Sequence, residues 1–278
     1  MVRVQVPQFE ESKNWSASKI MSLEKPQQEP KNPLTSEHLK EGVRPIIAAV
    51  GTREQFENHP GAGRDLFNAT LRALGNTPTR NVNYYGNPAE LTSESFKNAG
   101  MHSYVISTID NANKFSEGYA DCTGLVVAGQ DKETGENVSF LSHQDPSYFL
   151  TLVGLEANFK RDLKERLEEF KRRCKEGTID AVIVGGNYFI DKFPEHDHEY
   201  RAKYLQSINL LKGEVSQVFG FEPVVMTGPK IVSGKDNIFY DNERRRLYVV
   251  RPEVGDASTE SFAPGTVKEQ EKKWGQQM

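Results

Sequence analysis

Cys122 and His143 stand 21 positions apart, and their types and surroundings could do chemistry together. Cys122 opens the apolar run Cys122-Thr-Gly-Leu-Val-Val-Ala128, and His143 follows the run Asn137-Val-Ser-Phe-Leu-Ser142. Between the runs, Gln130-Asp-Lys-Glu-Thr-Gly-Glu136 is rich in turn formers, so the pair predicts a β-hairpin. Residues near the start of one hairpin strand oppose residues near the end of the next. The hairpin therefore makes Cys122 and His143 cross-strand neighbours at one end of a sheet. The thiolate is the nucleophilic form of cysteine, and a neighbouring imidazole can take the thiol proton and pass it on. Acyl transfer through a thioester is the chemistry this outlines. The plain alternative is a small buried cysteine and a turn histidine ahead of Asp145-Pro146.

Other clusters carry less. Glu195-His196-Asp197-His198-Glu199 holds imidazoles and carboxylates of the kind that bind zinc. Asp197 as a helix N-cap, with acids in the first turn, explains the same composition. No metal ligand is therefore assigned, and a metal-dependent hydrolase using His196 and His198 stays as an alternative. Gly185-Gly186 follows an apolar run without a dinucleotide or Walker pattern, so no cofactor is expected. Cys174 lies on a helical apolar stripe and reads as core. Arg244-Arg245-Arg246 reads as an exposed turn.

Several elements must position the pair. Ile46–Val50, Tyr104–Thr108, Ile179–Val184 and Pro223–Met226 read as further strands, and Asn237–Val250 as a second hairpin around Asp241-Asn242. Gly61–Leu74 reads as a helix ended by Gly75. Apolar residues at spacings of three and four from Leu152 to Cys174 predict a long helix. Tyr204, Ile208, Leu211, Val215 and Val218 predict another. The order is α/β: a mixed β-sheet with hairpins, flanked by helices in two layers or more, with Cys122 and His143 meeting at one sheet edge.

Composition sets the limits. The 278 residues are 36% hydrophobic, with 35 basic against 39 acidic side chains and two cysteines. Two cysteines make neither a disulfide scaffold nor a four-thiolate zinc site. Net charge −4 lacks the excess of a sequence-independent nucleic-acid binder. No apolar run approaches the roughly 18–20 residues of a membrane span. No signal-peptide core follows Met1, so a cytoplasmic location is expected, with specialised secretion as an effector still open. Residues 1–45 hold five prolines and little periodicity and read as a flexible arm. Residues 46–255 read as one α/β domain and 256–278 as a polar tail. Oligomeric state is not readable.

The strand-opening Cys, the hairpin and the His at the end of the next strand resemble the CheD-like, cytotoxic necrotizing factor-like superfamily of cysteine–histidine glutamine deamidases. The resemblance covers about residues 100–252. It extends to a helix after the His strand, a strand ending in Gly185-Gly186, and a closing hairpin at Ile238–Val250. Residues 46–100 have no counterpart in that core and read as an added subdomain. The resemblance implies a protein substrate whose glutamine side chain is attacked by Cys122, with His143 moving the proton. The family's third polar residue, a Thr or Ser six positions before the Cys, falls on Ser116, which would hydrogen-bond His143 and fix its tautomer. Asp145 is a rival for that orienting role. The chain departs from the pattern at Ala120-Asp121, where the family has small residues. A carboxylate beside the nucleophile opposes thiolate formation. That departure keeps open a binding or scaffold module of the same fold that has lost its chemistry.

Overall fold

Strands that are apolar at almost every position must be covered on both faces. Thr123–Gln130 and Asp180–Gly185 are of this kind, buried along their whole length apart from Gln130. A computed structural model describes residues 37–52, 79–82, 104–151, 153–186, 197–228 and 234–251. In chain order these form β1 (Ile47–Thr52), β2 (Thr79–Asn81), β3 (Tyr104–Ile106), β4 (Asn113–Tyr119), β5 (Thr123–Gln130) and β6 (Asn137–Gln144). The short α1 (Pro146–Phe149), then α2 (Leu155–Arg173), β7 (Asp180–Gly185) and α3 (Asp197–Phe219) follow. β8 (Val224–Thr227), β9 (Asp236–Asp241) and β10 (Arg246–Arg251) complete the order. The helix expected at Gly61–Leu74 and the polar tail lie outside the described residues, as does all but the last stretch of the arm.

The strands build two mixed sheets, which makes the fold α/β at the level of class. One has the order β1-β10-β9-β4-β2, the other β3-β6-β5-β7-β8. In the second sheet, β5 pairs antiparallel with both β6 and β7, and β7 runs parallel to β8 through α3. One core cluster joins residues of both sheets, among them Ile46, Val50, Ile238, Leu247 and Val249 with Val105, Val126, Leu141 and Val184. The opposite face of the second sheet packs Leu125, Val127, Phe140 and Ile183 against Phe159, Leu163 and Leu167 of α2 and Ile208, Leu211 and Val215 of α3. The layers are sheet, sheet, helices. This explains why β5 and β7 carry no polar face.

Three expectations are refined. β1 and β2 pair with β10 and β4, so residues 47–52 and 79–81 are strands of the first sheet. The stretch read as one helix from Leu152 begins at Leu155, because Gly154 takes φ +86° and separates α1 from α2. Arg245, expected in an exposed turn, is 2% exposed and donates to the carbonyls of Ala128 and Thr178. No helix among the described residues is long and apolar enough to cross a membrane.

Candidate active site

The hairpin register decides what the two candidate residues can reach. Thr123 pairs with Gln144 and Gly124 with His143. Cys122 lies two residues before Gly124 and so shares a sheet face with His143 as its diagonal neighbour. Cα atoms in that relation are about 7–8 Å apart in a regular sheet. The position directly across from His143 is a glycine, so no side chain stands there. β5 and β6 are the second and third strands of their sheet. The pair therefore sits at the end of interior strands, not at the sheet edge expected. The main chain at Cys122 is held by a hydrogen bond from Gly186 N to Cys122 O, 3.3 Å, which extends the β5–β7 ladder by one step. A Cβ at Gly186 would collide with the carbonyls of Tyr119 and Ala120. Gly186 thus marks a close crossing of main chains beside the cysteine.

The face shared by Cys122 and His143 looks into the layer between the sheets. Cys122 belongs to the inter-sheet core cluster, and the partners of His143 across the sheet, Val105 and Val184 by way of Gly124, belong to it too. Across that layer stands β4. Its residue Ser116, paired with Ile238, faces inward. Ser116 Oγ lies 2.8 Å from His143 Nδ1 and 2.8 Å from the carbonyl oxygen of Val82. A carbonyl only accepts, so the single hydroxyl proton of Ser116 goes to Val82 O. Ser116 Oγ then accepts from Nδ1–H of His143. The proton of the neutral ring is assigned to Nδ1 in this way, and Nε2 is left as the lone-pair nitrogen. The ring is fully buried, and burial pushes its pKa down to about 3.

Sequence reasoning missed Tyr119. Its ring lies on that of His143, with centroids 3.9 Å apart and planes 12° from parallel. Its hydroxyl donates to Ser142 O at 3.2 Å. Alternation along β4 should put residues 116 and 119 on opposite faces. A β-bulge between Glu117 and Tyr119 breaks the alternation, with Gly118 at φ +86° as the extra residue. Glycine takes that conformation without a Cβ penalty, and the bulge re-aims Tyr119 toward the imidazole. Gly124 completes the fit: a Cβ there would stand 2.5 Å from Ser142 O and 2.8 Å from the Tyr119 hydroxyl.

The remaining candidates are placed elsewhere. Asp121 accepts from Ser147 Oγ at 3.1 Å, and burial raises its carboxyl pKa. Asp145 accepts from Ser147 N at 2.8 Å as the N-cap of α1. The orienting bond to Nδ1 is thus made by Ser116. His198 lies on α3 and is exposed, while His196 is outside the described residues. Among the described residues no cluster of three or more His, Cys, Asp or Glu could hold a metal ion. Cys174 is buried against α2 and β5, and burial pushes its thiol up to about 12.

Cys122 is 2% exposed, and Ser116 and His143 are fully buried. By strand direction, β1, β2, β7, β8 and β10 all finish at the end where Cys122 and His143 sit. The chain continues from them into 53–78, 83–103, 187–196, 229–233 and 252–278, which lie outside the described residues. The arrangement is a neutral imidazole, its tautomer set by Ser116, on the same sheet face as the Cys122 side chain. Compared with known proteins, the chain matches no family model and no curated protein.

Proposed function

We propose that the protein is a thiol-dependent amidohydrolase resembling the CheD-like protein-glutamine deamidases, acting in the cytoplasm or, after specialised secretion, as an effector. One observation carries the reading. The Val82 O–Ser116–His143 chain leaves Nε2 as the basic nitrogen of a ring that shares its sheet face with Cys122. In the proposed reaction His143 Nε2 takes the Cys122 proton as the sulfur attacks the carboxamide carbon of a glutamine side chain. Backbone N–H groups at the start of β5 would stabilise the oxyanion. The C–N bond then breaks, the imidazolium returns its proton to the departing nitrogen, and ammonia leaves a thioester. Water, deprotonated by the same imidazole, cleaves the thioester to glutamate and regenerates the thiol.

Because burial holds His143 neutral, the imidazole is free to take a proton as the sulfur attacks. The test is ammonia release from glutamine-containing proteins, with the thioester trapped by hydroxylamine. Release by the wild type, lost in Cys122→Ser and in His143→Ala, is the expected result. Release unchanged in Cys122→Ser overturns the reading. The full burial of Ser116 and His143 favours one second reading, a binding module that keeps the fold without the chemistry. That module would release no ammonia, and Cys122 would alkylate no faster than a model thiol.

A further inference from the structure

Far from Cys122, where α2 ends and β7 begins, a cavity of about 740 Å³ opens beside the segment that carries His38 and Lys40. Its wall holds a ladder of flat rings. His38 stacks on Phe221 with centroids 3.5 Å apart and planes 6° from parallel, and Phe219 lies near-parallel to Phe221 at 5.8 Å. The segment is pinned there by His38 Nε2 at 3.0 Å from Ile179 O and by Lys40 N donating to Gly177 O at 2.8 Å. Four cations line the same cavity, Lys40, Lys132, Lys171 and Arg172, against one carboxylate, Glu176.

Two of the cations are fixed by helix ends. Lys132 Nζ donates to Arg172 O at 2.7 Å, and Lys171 Nζ donates to Val218 O. Each ammonium has three N–H groups and spends one in this way. The helix-end carbonyls lower the cost of gathering like charges. The side-chain cations of Lys40 and Arg172 make no hydrogen bond or ion pair among the described residues. We infer that this cavity binds an organic polyanion with a flat ring, the chemical class of nucleotides. The ring would stack against the Phe219–Phe221–His38 wall, and the anionic groups would meet the four cations. The volume falls within the range of about 300–1,000 Å³ usual for small-ligand sites. This inference stands apart from the chemistry of Cys122.

Calorimetric titration of the full chain with ATP, adenosine and inorganic tripolyphosphate tests it. ATP is expected to bind at least tenfold more tightly than adenosine, which lacks the charge, or tripolyphosphate, which lacks the ring. Lys40→Glu with Arg172→Glu, both at exposed positions, should weaken ATP at least tenfold while leaving far-ultraviolet circular dichroism unchanged. Phe221→Leu should weaken ATP and leave tripolyphosphate unaffected. The inference is overturned if ATP does not bind at millimolar concentration. It is also overturned if the charge-reversed variant binds ATP as the wild type does, or if tripolyphosphate binds as tightly as ATP.

Discussion

The phenol ring of Tyr119 lies flat against the imidazole of His143, with centroids 3.9 Å apart and planes 12° from parallel. The first ring comes from one sheet and the second from the other, so the stack ties the two sheets together at the candidate site. Tyr119→Phe keeps the stack and loses the hydroxyl that bonds Ser142 O, which should cost about 1 kcal/mol. Tyr119→Ala empties a buried aromatic site and should cost about 3–5 kcal/mol. Urea unfolding of the two variants measures the difference. Equal losses would show that the ring contributes little.

Ser116→Ala removes the acceptor for Nδ1–H and leaves Val82 O without its donor. A buried group stripped of its partner costs about 1–3 kcal/mol. The sharper readout is nitrogen NMR of the His143 ring. The wild type should show the proton on Nδ1 alone, and Ser116→Ala a mixture of the two tautomers. Thr in place of Ser116 should restore the single form.

His143 gives the fold a pH dependence. Its pKa lies near 3 in the folded protein against 6.5 for the free side chain. Between those values the unfolded chain binds the proton and the folded one does not. Stability should therefore fall as pH drops from about 6.5 to 3, by several kcal/mol in all. Asp131, held down to about 2 by Arg173, adds a loss in the same direction but below its free value of 3.8. His143→Gln should remove the loss between pH 6.5 and 4 and leave the more acidic one. A stability curve through that window unchanged by His143→Gln would contradict the burial argument.

Gly124→Ala places a methyl group against Ser142 O and the Tyr119 hydroxyl. Neither can retreat freely, since one is main chain and the other belongs to a fully buried ring. The expected cost is about 1–3 kcal/mol, read by thermal unfolding. Gly129→Ala is the comparison on the same strand. Its added methyl would stand 2.9 Å from Cys174 Sγ, again a buried neighbour, so it should cost a similar amount. Only Gly124→Ala should also disturb the His143 nitrogen signals.

The hairpin of Cys122 and His143 was readable because its pattern is local: two apolar runs, a turn between them, and partners paired within one short stretch. Helices α2 and α3 were readable for the same reason, their apolar stripes repeating every three or four residues. The first sheet was harder. Its β1 pairs with β10 almost 200 residues later, and nothing in either strand names the other. β4 escaped notice because Asn-Lys-Phe-Ser-Glu-Gly-Tyr shows no simple alternation, and with it went Tyr119. The acceptor at Val82 is main chain and leaves no mark on residue type.

The bulge at Gly118 bears on how proteins built this way could be recognised. Ser116 and Tyr119 reach one imidazole from positions three apart, a spacing that ordinarily belongs to a helical face. A search for alternate residues on a strand would sort the two onto opposite sides and discard the pairing. A pattern of Ser or Thr, any residue, Gly, then an aromatic, with the cysteine three further on, would retain it. Such a pattern describes an insertion in the ladder and can be tested against chains that share no overall similarity with this one.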